Sequence, residues 1–241
     1  MLRIVTSANI ACGLHAGDPL VMARTVSLAA QNGVAVGAHP GYPDLQGFGR
    51  RDMTLTPDEA QAFILYQLGA LAGFAHTAHV PLVHVKLHGA LYNAAARDPN
   101  LAQAAAHAIA AFDPNLIVVT LPNSALEQAA RALGLRVARE GFADRAYLVD
   151  GSLAPRSQPG AVIHDPAQAA QQAVQMVTCG QVKTLDGRVI AAQVDTLCIH
   201  GDTPGAPEVA AQLRAALESA GVIIAPLAAP QAATLTDTRS E

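Results

Sequence analysis

The sequence predicts an α/β fold in which strands and helices alternate and close as a (β/α) barrel. Three observations point there. Apolar, strand-like runs alternate with amphipathic helical runs nearly to the end of the 241-residue chain, the pattern of a parallel sheet covered by helices. Asp18-Pro19, Thr56-Pro57, Asp165-Pro166 and Thr203-Pro204 each put a capping side chain before a proline suited to the first helical position. In "LVHVKLH", residues 82–88, alternation puts Val83, Val85 and Leu87 on one face and His84, Lys86 and His88 on the other. An open parallel sheet is apolar on both faces, so a face with two histidines and a lysine suits the inside and mouth of a barrel.

Taken in order, strands are expected at Arg3–Ile10, Val34–His39, Leu82–His88, Leu116–Thr120, Leu135–Glu140 and Thr196–His200, with a short last one at Val222–Ile224. Helices are expected at Pro19–Gln31, Pro57–His79, Pro99–Ala111, Ser124–Leu133, Pro166–Cys179 and Pro204–Ala220. Asp186-Gly187 within "VKTLDGRVI" marks an inserted hairpin. No linker interrupts the chain, so residues 1–227 are expected to form one domain and 228–241 a flexible tail.

Composition narrows the class. Hydrophobic residues make up 51% of the chain and charged ones 14%, with a mean hydropathy of +0.26. No apolar run reaches the length of a membrane span, and no charged-then-apolar leader is present. A cytoplasmic protein without a membrane partner is expected. Net charge is −4 with no basic block, which argues against nucleic acid. Cys12, Cys179 and Cys198 lack metal-knuckle or disulfide spacing and fit a reducing compartment.

Five segments follow strand ends and mix glycine with ionisable residues: "SANIACGLHAGD", "GAHPGYPDLQGFGRR", "VKLHGALYN", "EGFADR" and "CIHGD". Barrel enzymes build their sites at the C-terminal ends of strands. Asn9, His39, Glu140 and His200 close the first, second, fifth and sixth strands. His15 and Asp18 stand at the entrance to the first helix, where Asp18 either caps that helix, orients His15, or does both. Lys86, on an inward face, needs an anion to keep its charge. His88 is placed for general acid or base work; His84 points inward but deeper and ranks below it. Arg50 and Arg51 suit either solvent or a clamp on carboxylate or phosphate, and Asp144-Arg145 suits a local ion pair or a reach into the mouth. His76, His79, His107 and His164 read as structural. The histidines lack HxH or HExxH spacing, although ligands drawn from separate strands keep a metal open. There is no GxxxxGK[ST] phosphate loop.

These blocks closely resemble the LamB/YcsF family, to which the A component of bacterial 5-oxoprolinase belongs, from about Thr6 to about Ile224. The resemblance implies a (β/α) barrel of the glycoside hydrolase/deacetylase type, seven-stranded in the family. It implies ATP-dependent opening of 5-oxoproline to L-glutamate with B and C subunits, with ATP and Mg2+ as co-substrate. No tightly bound metal is assigned, and a homo-oligomer stays open. Family members usually begin with a strand resembling "DLNxDxGE", whereas Met1 falls just before "SANIACG", so the N-terminal strand is expected to be lacking. Leu87 stands where the family usually has proline. Applied to the proposed chemistry, Lys86 and Arg145 would hold substrate oxygens. His15, His39, His88 and His200 would contain the acid and base, oriented by Asp18 and Asp202. Asn9, Arg50, Arg51, Asn93 and Asp144 complete the binding set. A metal-dependent amide or acetyl hydrolase without ATP, and a non-catalytic subunit that binds 5-oxoproline, are the alternatives.

Overall fold

The computed structural model describes residues 1–201 and 205–227. Eight strands and seven helices are formed among them. The strands are β1 (Ser7–Ala11), β2 (Ala35–His39), β3 (Leu82–Val85), β4 (Ile117–Thr120), β5 (Arg136–Phe142), β6 (Gln181–Lys183), β7 (Val189–Ala191) and β8 (Thr196–Cys198). The helices are α1 (Pro19–Gln31), α2 (Pro57–Thr77), α3 (Gly89–Arg97), α4 (Pro99–Phe112), α5 (Ala125–Ala132), α6 (Pro166–Cys179) and α7 (Ala206–Ser219).

Six strands form one parallel sheet in the order β1-β2-β3-β4-β5-β8, and β6 and β7 form the expected antiparallel hairpin. The sheet curls without closing. Ser7 and Asn9 of β1 and Thr196–Cys198 of β8 border the same cleft of about 240 Å³, with His84, Val119 and Glu140 of intervening strands also lining it. The architecture is therefore a curled half-barrel, and among the described residues nothing pairs with the outer edge of β1 or of β8.

Local chemistry explains the helices. Asp18 accepts from the Leu20 and Val21 amides, and Thr56 with Glu59 forms a reciprocal cap on α2. Asp165 caps α6, and its last turn ends at Gly180 in the left-handed region, φ 63°. The Thr203-Pro204 junction lies outside the described residues; Gly205 precedes α7. In α4, Ala102, Ala105, Ala106 and Ala108 are buried, and these small side chains let α4 pack closely against α2 and α5.

Three expectations about the elements change. Residues 89–97 form α3, which had no sequence punctuation. Val222–Ile224 is not a strand: it runs as irregular chain along the cleft, with Ile223 92% exposed. Val85 and Leu87 pack outward into the main core, but Val83 joins Ile117, Val119 and Ala138 in a separate cluster. The cause is a shift in register, since Val36 pairs with Leu82 and Gly37 with His84, leaving Val83 as the extra residue of a bulge. The polar face survives it, because His84 and Lys86 still point inward. The expected tail, 228–241, lies outside the described residues.

Candidate active site

Three imidazoles from three successive strand ends meet at the mouth of the half-barrel. His15 follows β1, His39 ends β2 and His88 follows β3. The His15 and His88 rings lie parallel, with centroids 3.8 Å apart and planes 3° apart. His39 meets His88 edge-on at 4.8 Å. Phe48, from the β2–α2 loop, closes the group with edge contacts to His15 and His88, and the Arg50 guanidinium lies 5.0 Å from the Phe48 ring centre.

The glycines of the second segment make this stacking possible. Gly49 has φ +66°, and a Cβ there would lie 2.8 Å from His88 Cδ2 and 2.9 Å from His15 Cβ. Only glycine satisfies both the backbone and the space. Gly41 lies against the His15 ring in the same manner, a Cβ being 2.6 Å from Nδ1. That Nδ1 is buried without a hydrogen-bond partner. Burial holds His15 in its neutral form, with a pKa lowered to about 3, helped by the charges of His88 and Arg50. His39 is likewise held well below the ordinary histidine range by burial, then by Lys86 and His88.

Beneath this trio lies a second polar cluster. Lys86 Nζ donates to Glu140 Oε1 at 2.6 Å and to Cys198 Sγ at 3.1 Å. Tyr92 donates its hydroxyl proton to the other Glu140 oxygen at 3.1 Å. The ammonium also faces the Phe142 and Tyr92 rings at 4.9 and 5.5 Å. Burial works against the lysine's charge, but the Glu140 carboxylate and the hydrogen bonds to Glu140 and Cys198 outweigh it and raise its pKa above the ordinary value. The Cys198 thiol is pushed up to about 12 by burial, so it stays a thiol.

His200 stacks on Phe142, with ring centroids 5.9 Å apart. Its Nδ1 donates to Asp144 Oδ2 at 2.8 Å, and its Nε2 accepts from Arg156 at 3.4 Å. Burial pushes the Asp144 carboxyl up, but the hydrogen bond from His200 leads the effects that outweigh burial and hold it below the usual carboxylate range. His84 Nε2 donates to Asn9 Oδ1 at 3.0 Å, low in the cleft.

The remaining sequence candidates fall elsewhere. Asp18 is exposed and its carboxylate is spent on the α1 cap. Arg51 pairs with buried Asp44 and staples its own loop. Arg145 is buried and donates to the Ala161 and Ala154 carbonyls at 3.2 and 2.5 Å, pinning the loop after β5. Asn93 is exposed on α3. Asp202 lies outside the described residues. Glu140 was marked in the sequence as a polar strand end without a role, and Tyr92, Phe48, Phe142, Cys198 and Arg156 were not among the sequence candidates. Tyr92, Phe48, Phe142 and Cys198 lie inside the five glycine-rich segments, so the segment signal reached them although no motif marked them singly.

A curled parallel half-barrel carrying imidazoles at its strand ends defines an α/β protein of the barrel class, with its polar groups gathered at the C-terminal ends of the strands. The LamB/YcsF family model matches residues 1–232. The chain belongs to the LamB/YcsF family. Among its relatives, the 5-oxoprolinase A component of Syntrophobacter fumaroxidans is 57% identical over 229 residues, covering 95% of this chain and 90% of that protein. The corresponding 5-oxoprolinase component of Pyrococcus abyssi is 55% identical over 227 residues, covering 94% and 89%. The crystal structure of the lactam utilization protein from Thermus thermophilus superposes with a TM-score of 0.88 at 54% identity, covering 93% of this chain and 90% of that one.

Proposed function

We propose that this chain is the component of an ATP-dependent 5-oxoprolinase that binds 5-oxoproline and opens its ring to L-glutamate, acting with B and C subunits in the cytoplasm. The names of its relatives support the substrate. The observation that carries the reading is the contact of His15, His39 and His88, drawn from separate strand ends into one mouth beside Arg50.

The chemistry required is specific. Amide resonance makes the lactam carbonyl a poor electrophile, and the amine and acid of glutamate are held close enough to re-close. ATP with its Mg2+ would supply the phosphoryl group that activates the lactam oxygen. Arg50 lies against Phe48 beside the trio and Arg156 donates to His200, and guanidinium groups match the carboxylate and phosphoryl oxygens of such a co-substrate. Water then adds its oxygen to the ring carbon, the C–N bond breaks as the nitrogen takes up a proton, and a second water hydrolyses the resulting acyl phosphate to the free carboxylate of glutamate and inorganic phosphate. The imidazoles of the trio serve as base and acid for those transfers. His200 is held by Asp144 in one tautomer with Nε2 as its acceptor, the form suited to removing a proton. Lys86 acts on the mouth indirectly, by setting charge beneath it and offering its backbone carbonyl to His39.

The test is glutamate release from 5-oxoproline by the chain together with its partner subunits. Release that needs both the chain and ATP, and that drops by a factor on the order of 100 or more in His88→Ala, is expected. Full turnover without the chain would remove it from the reaction. Binding without turnover in the complete assembly would make it a substrate-holding scaffold. Turnover without ATP that a chelator abolishes would mark a metal-dependent hydrolase.

A further inference from the structure

Helix α2 buries an amide, Gln67, among Ala60, Ile64, Leu68 and Leu71. Its polar atoms are all engaged. Oε1 accepts from the Gly41 amide at 2.9 Å, and Nε2 donates to the Gly41 and Phe63 carbonyls, each at 2.9 Å. The Gly41 N–H can only donate, which fixes the orientation of the Gln67 amide. One side chain thus satisfies both backbone groups of a single glycine in the loop that follows β2. From the sheet side, the His88 amide donates to the neighbouring Pro40 carbonyl at 2.8 Å.

Gly41 forms one wall of the space that holds His15. A Cβ at Gly41 would lie 2.6 Å from His15 Nδ1, and that nitrogen is buried with no hydrogen-bond partner among the described residues. Folded proteins leave a buried N–H without an acceptor more rarely than an acceptor without a donor. A neutral imidazole has one N–H, so the hydrogen of His15 belongs on Nε2. The titratable and charged groups facing this ring are His39 and His88, from the ends of β2 and β3, and Arg50 from the β2–α2 loop.

We propose that Gln67 is a positioning residue for this mouth: by holding both backbone groups of Gly41 it keeps the loop after β2 against His15 Nδ1, so that His15 meets a ligand as a neutral ring with its hydrogen on Nε2. The group it serves on the ligand is an oxygen acceptor, a carbonyl or an oxyanion. The proposal rests on the reading of this mouth as the substrate site.

Long-range proton–nitrogen correlation spectra of the isotope-labelled chain read the hydrogen on each histidine nitrogen, with His15 assigned by its loss in His15→Gln. At about pH 6 the wild-type His15 should carry hydrogen on Nε2 and none on Nδ1. Gln67→Met keeps the length of the side chain and removes its hydrogen bonds. In that variant water should reach Nδ1, and His15 should titrate at least about one pH unit higher. In Gln67→Glu, burial keeps the new carboxyl neutral at about pH 6. A neutral carboxyl can both accept from Gly41 and donate to it, so His15 should behave as in the wild type. With the partner subunits, Gln67→Met should lower kcat for glutamate release about tenfold and Gln67→Glu should restore it. Hydrogen on Nδ1 in the wild-type chain overturns the proposal whether or not a variant folds. An unchanged His15 in folded Gln67→Met overturns it too, as does an effect of Gln67→Glu as large as that of Gln67→Met, which would assign the change to packing. A shifted His15 with unchanged kcat would refute the positioning role and leave the proposed function standing. Absence of glutamate release by the wild-type assembly would refute the proposed function, while the spectra would still decide how His15 is held.

Discussion

Lys86 and Glu140 show how a single pair sets the energetics of the site. Both side chains are almost fully buried, 6% and 3% exposed, and their 2.6 Å contact is strengthened by Tyr92 and Cys198. Removing one partner strands the other charge in an apolar interior, which typically costs about 3–5 kcal/mol. Lys86→Met is expected to lose stability on that scale, and Lys86→Met with Glu140→Leu to recover most of it. Urea unfolding of the single and double variants checks this. A small loss in the single variant would show that water reaches Glu140 through the cleft. The histidines make a second prediction at this scale. His15 and His84 have pKa values lowered to about 3 and about 4, chiefly by burial, and His39 lies well below the ordinary range. An unfolded chain takes up these protons near pH 6.5 while the fold refuses them. Stability is therefore fully present above about pH 6.5 and is lost as pH falls toward about 4. His84 alone accounts for roughly 2–3 kcal/mol of this at pH 4. Denaturant midpoints at about pH 7 and about pH 4.5 measure the loss, and His84→Gln should flatten it.

At the scale of elements, the junctions divide into structural and chemical parts. Asp18 accepts from two amides of the first turn of α1 and is exposed, whereas His15, three residues earlier, is buried in the trio. Asp18→Ala is expected to cost about 1 kcal/mol of stability and to leave glutamate release unchanged. A fall in kcat with stability intact would place its carboxylate in the chemistry instead. The helix α3 teaches the complementary point. Its N-cap, His88, makes no side-chain cap bond. The Ala90 amide instead donates to the Gly49 carbonyl at 2.9 Å, so a distant loop caps the helix. No local signal in "HGALYN" announces such a start. By contrast, α1, α2 and α6 begin where an Asp or Thr precedes proline, and those junctions were legible because the cap lies in the sequence itself.

At the scale of the whole molecule, the half-barrel leaves a cleft along one side whose interior polar lining stays buried apart from Asn9. Asn9, His84, Glu140 and Cys198 all line the cleft between β1 and β8. The outer edges of these strands carry no ladder partner among the described residues, whereas β2, β3, β4 and β5 are paired on both sides. Amides of β1 and β8 are therefore expected to exchange with solvent at least about tenfold faster than those of β3 and β4. Hydrogen exchange followed by mass spectrometry reads this directly. Equal protection would mean that a further segment or a second copy covers the edges. The irregular path of Val222–Ile224 belongs to the same setting: an apolar, β-prone stretch needs a free neighbouring ladder to become a strand, and here it lies along the cleft unpaired.

The sequence by itself determined the alternation of strands and helices, the hairpin at Asp186-Gly187, and the strand ends at which the chemistry gathers. Those features rest on period, capping and turn residues that act within a few positions. Tertiary structure alone decided which side chains meet. It stacked His15 on His88, paired Lys86 with Glu140, turned Arg145 toward backbone carbonyls and flipped Val83 at a bulge. Each of those outcomes depends on groups far apart in the chain, whose separation in space is set by sheet register and curl rather than by any local pattern.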